Sequence, residues 1–112
     1  MRAARLRGIK EDIALNLEHG DISITAIAAR HRVTPRTVQK LFERDGTTFT
    51  EHVLEQRLAF AHRVLSDPKR AGEKIASVAF TAGFGDVSYF YRVFRRRFGV
   101  LPTDVRAQAQ PQ

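Results

Sequence analysis

Apolar side chains along this chain recur every three or four residues, the period of an α-helix buried on one side. Leu6, Ile9, Ile13 and Leu17 share one face of a helix over residues 3–19, with His19 and Gly20 as its C-terminal stop. Ile24, Ile27 and Ala28 repeat that face in a shorter segment, and Thr34 and Pro35 then supply an N-cap and a proline at the first position of the next helix. Thr48 and Glu51 have the spacing of a capping box and open a long helix over residues 49–66, with Phe49, Val53, Leu54, Leu58, Ala61, Val64 and Leu65 mostly at helical spacing. A polar, breaker-rich loop, Asp67 to Gly72, follows. Pro102 starts a last short helix, and residues 107–112 are expected to fray. The fold class is all-α, with about seven helices.

The most informative stretch is KIASVAFTAGFGDVSYFYRVFRRRFG, Lys74 to Gly99. Ile75, Val78 and Ala79 form the apolar face of a short helix that stops at Gly83, where a positive φ is cheap only without a Cβ. Asp86 restarts the helix, its carboxylate suited to the free N–H groups of the next turn and to the positive end of the helix dipole. At about 100° per residue, Phe90, Val93, Phe94 and Arg97 fall on one arc and Ser88, Tyr91, Arg92 and Arg95 on the other. Two short helices joined by a glycine turn describe a helix-turn-helix, whose second helix is shaped to enter a DNA major groove.

The pattern occurs twice. Ile24 matches Ile75 and Ala28 matches Ala79 at an offset of 51, and Phe42 matches Phe94 at 52, one residue having been added in the second turn. This gives a first helix-turn-helix subdomain over residues 1–47, a linker helix over 48–66 and a second subdomain over 67–112. At 1.5 Å per residue the linker measures ~27 Å. With the width of its flanking subdomains it matches the ~34 Å between successive major-groove faces on one side of B-DNA.

Charge sharpens the partner. Nineteen Lys and Arg against twelve Asp and Glu leave a formal +7 on 112 residues, which favours a polyanion and nucleic acid before a membrane surface. No apolar run approaches the ~20 residues of a membrane span. The absence of cysteine removes disulfides, thiol chemistry and Cys-based zinc sites, and fits a reducing cytoplasm. Arg2, Arg5, Arg7 and Lys10 crowd the end of the first helix that disfavours cations, so the natural chain is expected to continue upstream. His19, His31, His52 and His62 are too scattered for a zinc pair, and no phosphate loop or nucleophile dyad is present, so neither an enzyme nor a cofactor is expected.

From residue 21 to 106 the chain resembles the DNA-binding domain of AraC/XylS-type bacterial transcription regulators. The specific part lies in the second copy: Ile75 to Ala79, Gly83-Phe84, Asp86, Ser88 to Phe90, Arg92 to Phe94, Arg97 to Gly99, Pro102 and Val105-Arg106. The first copy agrees through Ala28, Pro35, Leu41-Phe42, Gly46 and Arg57-Leu58. The resemblance implies two helix-turn-helix units bridged by a long helix, double-stranded DNA and RNA polymerase as partners, and an upstream effector-binding or dimerisation domain. It implies base-facing roles for Arg36, Gln39 and Lys40 in the first recognition helix and for Val87, Ser88, Tyr91 and Arg92 in the second.

The side-chain chemistry is compatible. Arg36 and Arg92 can fork onto guanine O6 and N7, Gln39 can pair with adenine, and Val87 can touch a thymine methyl, while Lys40 suits either guanine or a phosphate. Thr37, Arg44, Arg95 and Arg96 are assigned to backbone phosphates, which set register and affinity without carrying sequence information. Arg97 is expected on the packed side, and Arg57 and His62 as structural or solvent-facing residues. The chain departs from the family pattern in three places: Arg32 where the first turn usually has glycine, Val87 where a polar residue is common, and Leu101 where a Ser or Thr cap is frequent. The competing reading is a helical module that docks on protein, such as RNA polymerase, or on RNA, with only non-specific DNA affinity.

Overall fold

In the computed structural model, which describes residues 2–18 and 21–109, the chain forms seven α-helices and one 3-10 turn, with no strand among the described residues. It divides into two compact units, Met1–Gln56 and Arg57–Gln112, the division falling inside the long fourth helix.

The first unit contains α1 (Arg2–Leu15), α2 (Ile24–Arg30), α3 (Pro35–Arg44) and the first half of α4 (Phe49–Leu65). α1 lies against both α2 and α3. Ile9, Ile13, Ile27, Val38 and Phe42 are fully buried at its centre. A seven-residue helix such as α2 does not persist alone, so its stability comes from Ile27 and Ala28 in this core, at roughly 1.5–3 kcal/mol for a large apolar side chain. α1 ends at Leu15, four residues before the expected stop, because the Asn16 amide folds back onto the carbonyl and carboxylate of Asp12 at 2.9 and 2.8 Å. The anticipated stop at His19 and Gly20 lies outside the described residues.

The second unit repeats the plan with the remainder of α4, a 3-10 turn at Pro68–Arg70, α5 (Ile75–Thr81), α6 (Val87–Phe98) and α7 (Pro102–Ala109). The 3-10 turn sits where the sequence suggests a plain loop, with the Asp67 carboxylate accepting from the Lys69 N–H at 3.0 Å. Phe90 and Phe94 are fully buried, Phe84 nearly so, and the rings of Phe84, Phe90, Phe94 and Phe98 follow one another at centroid spacings of 5.0, 5.5 and 4.7 Å. His62 of α4 closes this ladder, 4.6 Å from Phe98 and stacked at 6.1 Å on Phe94. At the start of α7 the Leu101 N–H donates to the Asp104 carboxylate at 3.0 Å, the half of a capping box that does not need a Ser or Thr at the cap.

Candidate nucleic-acid interface

The helix that would enter a groove is aimed by the turn before it, and the two turns are built alike. In the first, the Val33 N–H donates to the Ala28 carbonyl at 3.0 Å and the Arg32 N–H to Ala29 at 3.2 Å. In the second, Phe84 donates to Ala79 and Gly83 to Phe80, both at 2.9 Å. Each pair closes the preceding helix as a Schellman motif, which requires a left-handed residue at the position shared by Arg32 and Gly83. Both residues comply, with φ of 57° and 102°, and Arg32 is the one non-glycine residue with positive φ among those described. The departure read from the sequence is therefore a strained residue within an unchanged helix stop.

Each second helix begins on a side-chain cap. Thr34 Oγ1 accepts from the Thr37 N–H at 3.1 Å, with Pro35 at the first helical position, and Asp86 Oδ1 accepts from the Ser88 and Tyr89 N–H groups at 2.9 and 3.3 Å. From these caps α3 and α6 run in the same register. Val38, Leu41 and Phe42 are buried on α3, as are Phe90, Val93 and Phe94 on α6, each 52 residues later.

The opposite faces carry the candidate readers. On α3, Arg36, Gln39, Lys40 and Arg44 are all exposed along one side. Thr37 is half-buried and its hydroxyl lies 3.0 Å from that of Thr34, so it is engaged in the cap. On α6, Ser88, Arg92, Arg95 and Arg96 are exposed and Val87 and Tyr91 half-buried. Arg97 is exposed, contrary to the expected packed position, and its guanidinium lies 4.8 Å over the Phe98 ring. The helix ends just beyond it, at Gly99 with φ 77°, where a long side chain can swing clear of the core.

Four further residues support these faces. Tyr89, 40 % exposed, stands beneath Arg92, whose guanidinium is 5.7 Å from the ring centroid. Asp12 joins α1 to α2, accepting from Arg30 at 2.8 and 3.0 Å and lying 2.8 Å from His31 Nε2, so that Arg30 holds its carboxyl below the usual range. Arg57 donates to the Ala82 carbonyl at 3.0 Å, a structural role, and burial lowers its pKa. Arg106 is buried and donates to the carbonyls of Ala71 and Glu73 at 2.8 and 2.6 Å. The i to i+3 spacing of Tyr89 and Arg92 is visible in sequence, whereas the other three contacts join positions distant along the chain.

A duplicated turn, a capped second helix and a cationic outer face in both units define a DNA-binding protein of the helix-turn-helix class. Residues 27–108 match the helix-turn-helix domain family, and the chain belongs to it, in its AraC type. It is 44% identical over 105 residues to the transcriptional activator RhrA of Rhizobium meliloti, covering 94% of this chain and 33% of that protein. It is 39% identical over 101 residues to the transcriptional activator NphR of a Rhodococcus species, covering 90% of this chain and 29% of that protein. The chain thus spans about a third of the length of these curated relatives. The crystal structure of a probable AraC family transcriptional regulator from Rhodopseudomonas palustris superposes with a TM-score of 0.86 at 28% identity, over 96% of this chain and 99% of that one. Sequence-specific DNA binding by a bacterial regulator is the function these findings assign to the domain.

Proposed function

We propose that the domain reads two successive major grooves as a monomer, with Arg36, Gln39 and Lys40 facing bases in one half-site and Val87, Ser88, Tyr91 and Arg92 in the next. Arg44, Arg95 and Arg96 then hold phosphates, with Thr37 contributing through the cap it shares with Thr34. The observation that carries this reading is the common register of α3 and α6, in which Arg36, Lys40 and Arg44 stand at the same helical positions as Ser88, Arg92 and Arg96, all of them exposed. Base-reading fork chemistry is available in both units, in Arg36 of the first and, at the position that Lys40 holds there, in Arg92 of the second.

The domain serves as the DNA-binding part of a longer cytoplasmic regulator that carries an effector-binding or dimerisation domain and activates transcription through RNA polymerase. Support comes from the share of each activator that the chain covers, 33% of RhrA and 29% of NphR. The protein acts without catalysis.

The test is a selection from randomised duplexes followed by Arg36→Ala and Arg92→Ala. Each change is expected to cost about 1–3 kcal/mol and to relax base preference in a different half-site. Loss of preference in neither half-site refutes the residue assignment. A flat salt dependence with no preference for any duplex points to a protein-docking module instead.

A further inference from the structure

α5 is too short to fix its own orientation, and Lys74, at its N-cap, makes no side-chain capping hydrogen bond. Two guanidinium groups take over at its ends. Before its first turn, Nη1 of the buried Arg106 donates to the carbonyls of Ala71 and Glu73. After its last turn, the Arg57 guanidinium lies directly over Gly83, where a Cβ would stand 1.5 Å from Nη1 and 2.5 Å from Cζ, and it donates to the carbonyl of the fully buried Ala82. Gly83 is required by its φ of 102°, and the guanidinium occupies the space that its missing Cβ leaves, so a side chain there would push Arg57 off the Ala82 carbonyl.

The first unit is braced differently. Ser23 caps the start of α2, accepting from the Ala26 N–H at 3.2 Å, and Asp12 of α1 grips its end through Arg30 and His31. Arg32 takes the position of Gly83 there, so a Cβ already fills the space that a crossing guanidinium would need.

We infer that Arg57, with Arg106 at the opposite end of α5, is a positioning residue that sets the pose of the second recognition helix and hence the specificity of the second half-site alone. This rests on the two-groove reading above. The turn Arg57 holds leads within three residues to Asp86, the cap from which α6 starts, so a shift at Ala82 passes directly into Ser88 and Arg92. A half-buried guanidinium bonded to a main-chain carbonyl braces the fold of the turn, while a phosphate-neutralising arginine would lie open to solvent.

The experiment uses the tightest duplex selected from the randomised library, with half-sites assigned by the losses in Arg36→Ala and Arg92→Ala. Arg57→Leu keeps the apolar stem and removes the guanidinium. It is expected to reduce base discrimination in the Arg92 half-site about tenfold while leaving the Arg36 half-site and the salt slope unchanged. Arg57→Lys gives an intermediate loss in the same half-site, and carries the test if the leucine variant does not fold. Uniform weakening on all duplexes with a shallower salt slope identifies a phosphate contact and overturns the inference. So does equal loss in both half-sites in step with thermal stability, or no loss at all. If the two alanine variants define no separate half-sites, the two-groove reading falls and takes this inference with it. If they do and Arg57→Leu spares the second half-site, the inference falls alone.

Discussion

Arg32 and Gly83 stand at the same place in the two turns, and both adopt left-handed backbone, at φ 57° and 102°. A left-handed L-residue costs about 1–2 kcal/mol, partly offset by the 0.5–1 kcal/mol that glycine loses in chain entropy. Arg32→Gly is therefore expected to stabilise the first unit by about 0.5–1 kcal/mol in urea unfolding. Gly83→Ala should do the opposite and by more, at least about 1–2 kcal/mol, because the new methyl also displaces the Arg57 guanidinium. Equal and small effects at both sites would show that the turns do not share this geometry.

Acid sensitivity is expected to centre on Asp12. Its side chain is 12% exposed, and the Arg30 hydrogen bonds, with His31 and Asn16 adding to them, depress its pKa below 3.8 against the opposing effect of burial. A depressed folded pKa means that the folded state resists the proton, so this stabilisation is complete above the unfolded pKa and is lost as pH falls through the folded one. Asp12→Asn should cost about 1–3 kcal/mol at neutral pH. The variant should also show a flatter decline of stability below about pH 4 than the parent protein. Parallel acid limbs in the two proteins would exclude this role.

His52 gives a pH dependence in a higher window. Burial lowers its pKa from 6.5, with Lys10 pushing the same way and Asp45 and Glu55 pushing back, and its ring lies 5.2 Å from Phe42 with Nε2 buried and without a hydrogen bond. The unfolded chain takes up this proton more readily, so stability is full above about pH 6.5 and declines as pH falls below it. His52→Leu should weaken that decline, read as the difference in melting temperature between the variant and the parent across this range. A decline as steep in the variant would assign it to other groups.

Phosphate contacts separate from base contacts by their salt dependence. Arg95→Ala and Arg96→Ala are expected to weaken selected and scrambled duplexes alike and to lower the slope of log affinity against log salt by about one each. A slope that stays constant in both variants would place these exposed arginines in solvent in the complex.

Much of the molecule is legible along the chain because its signals are local. The caps at Thr34 and Asp86, the proline at the first position of α3 and the glycine after α5 each act within a few residues, so their spacing alone announces where helices begin and end. The buried faces of α3 and α6 follow in the same way from helical periodicity. Periodicity alone misses what single side chains do at helix ends. α1 stops early through the side chain of Asn16, and Arg97 turns outward at a helix end instead of following the arc it nominally shares with Phe94.

The amino-acid sequence by itself determined the helices, the duplication, the outer faces of α3 and α6 and the residue types offered on them, since one period of about 3.6 residues fixes which positions share a side. Only the tertiary structure decided what holds those helices in place: Asp12 on Arg30 across 18 residues, Arg57 over Gly83, and Arg106 on the carbonyls of Ala71 and Glu73. The physical reason is that a guanidinium reaches its carboxylate or carbonyl through space, so no periodicity or spacing in the chain records which partner it will meet.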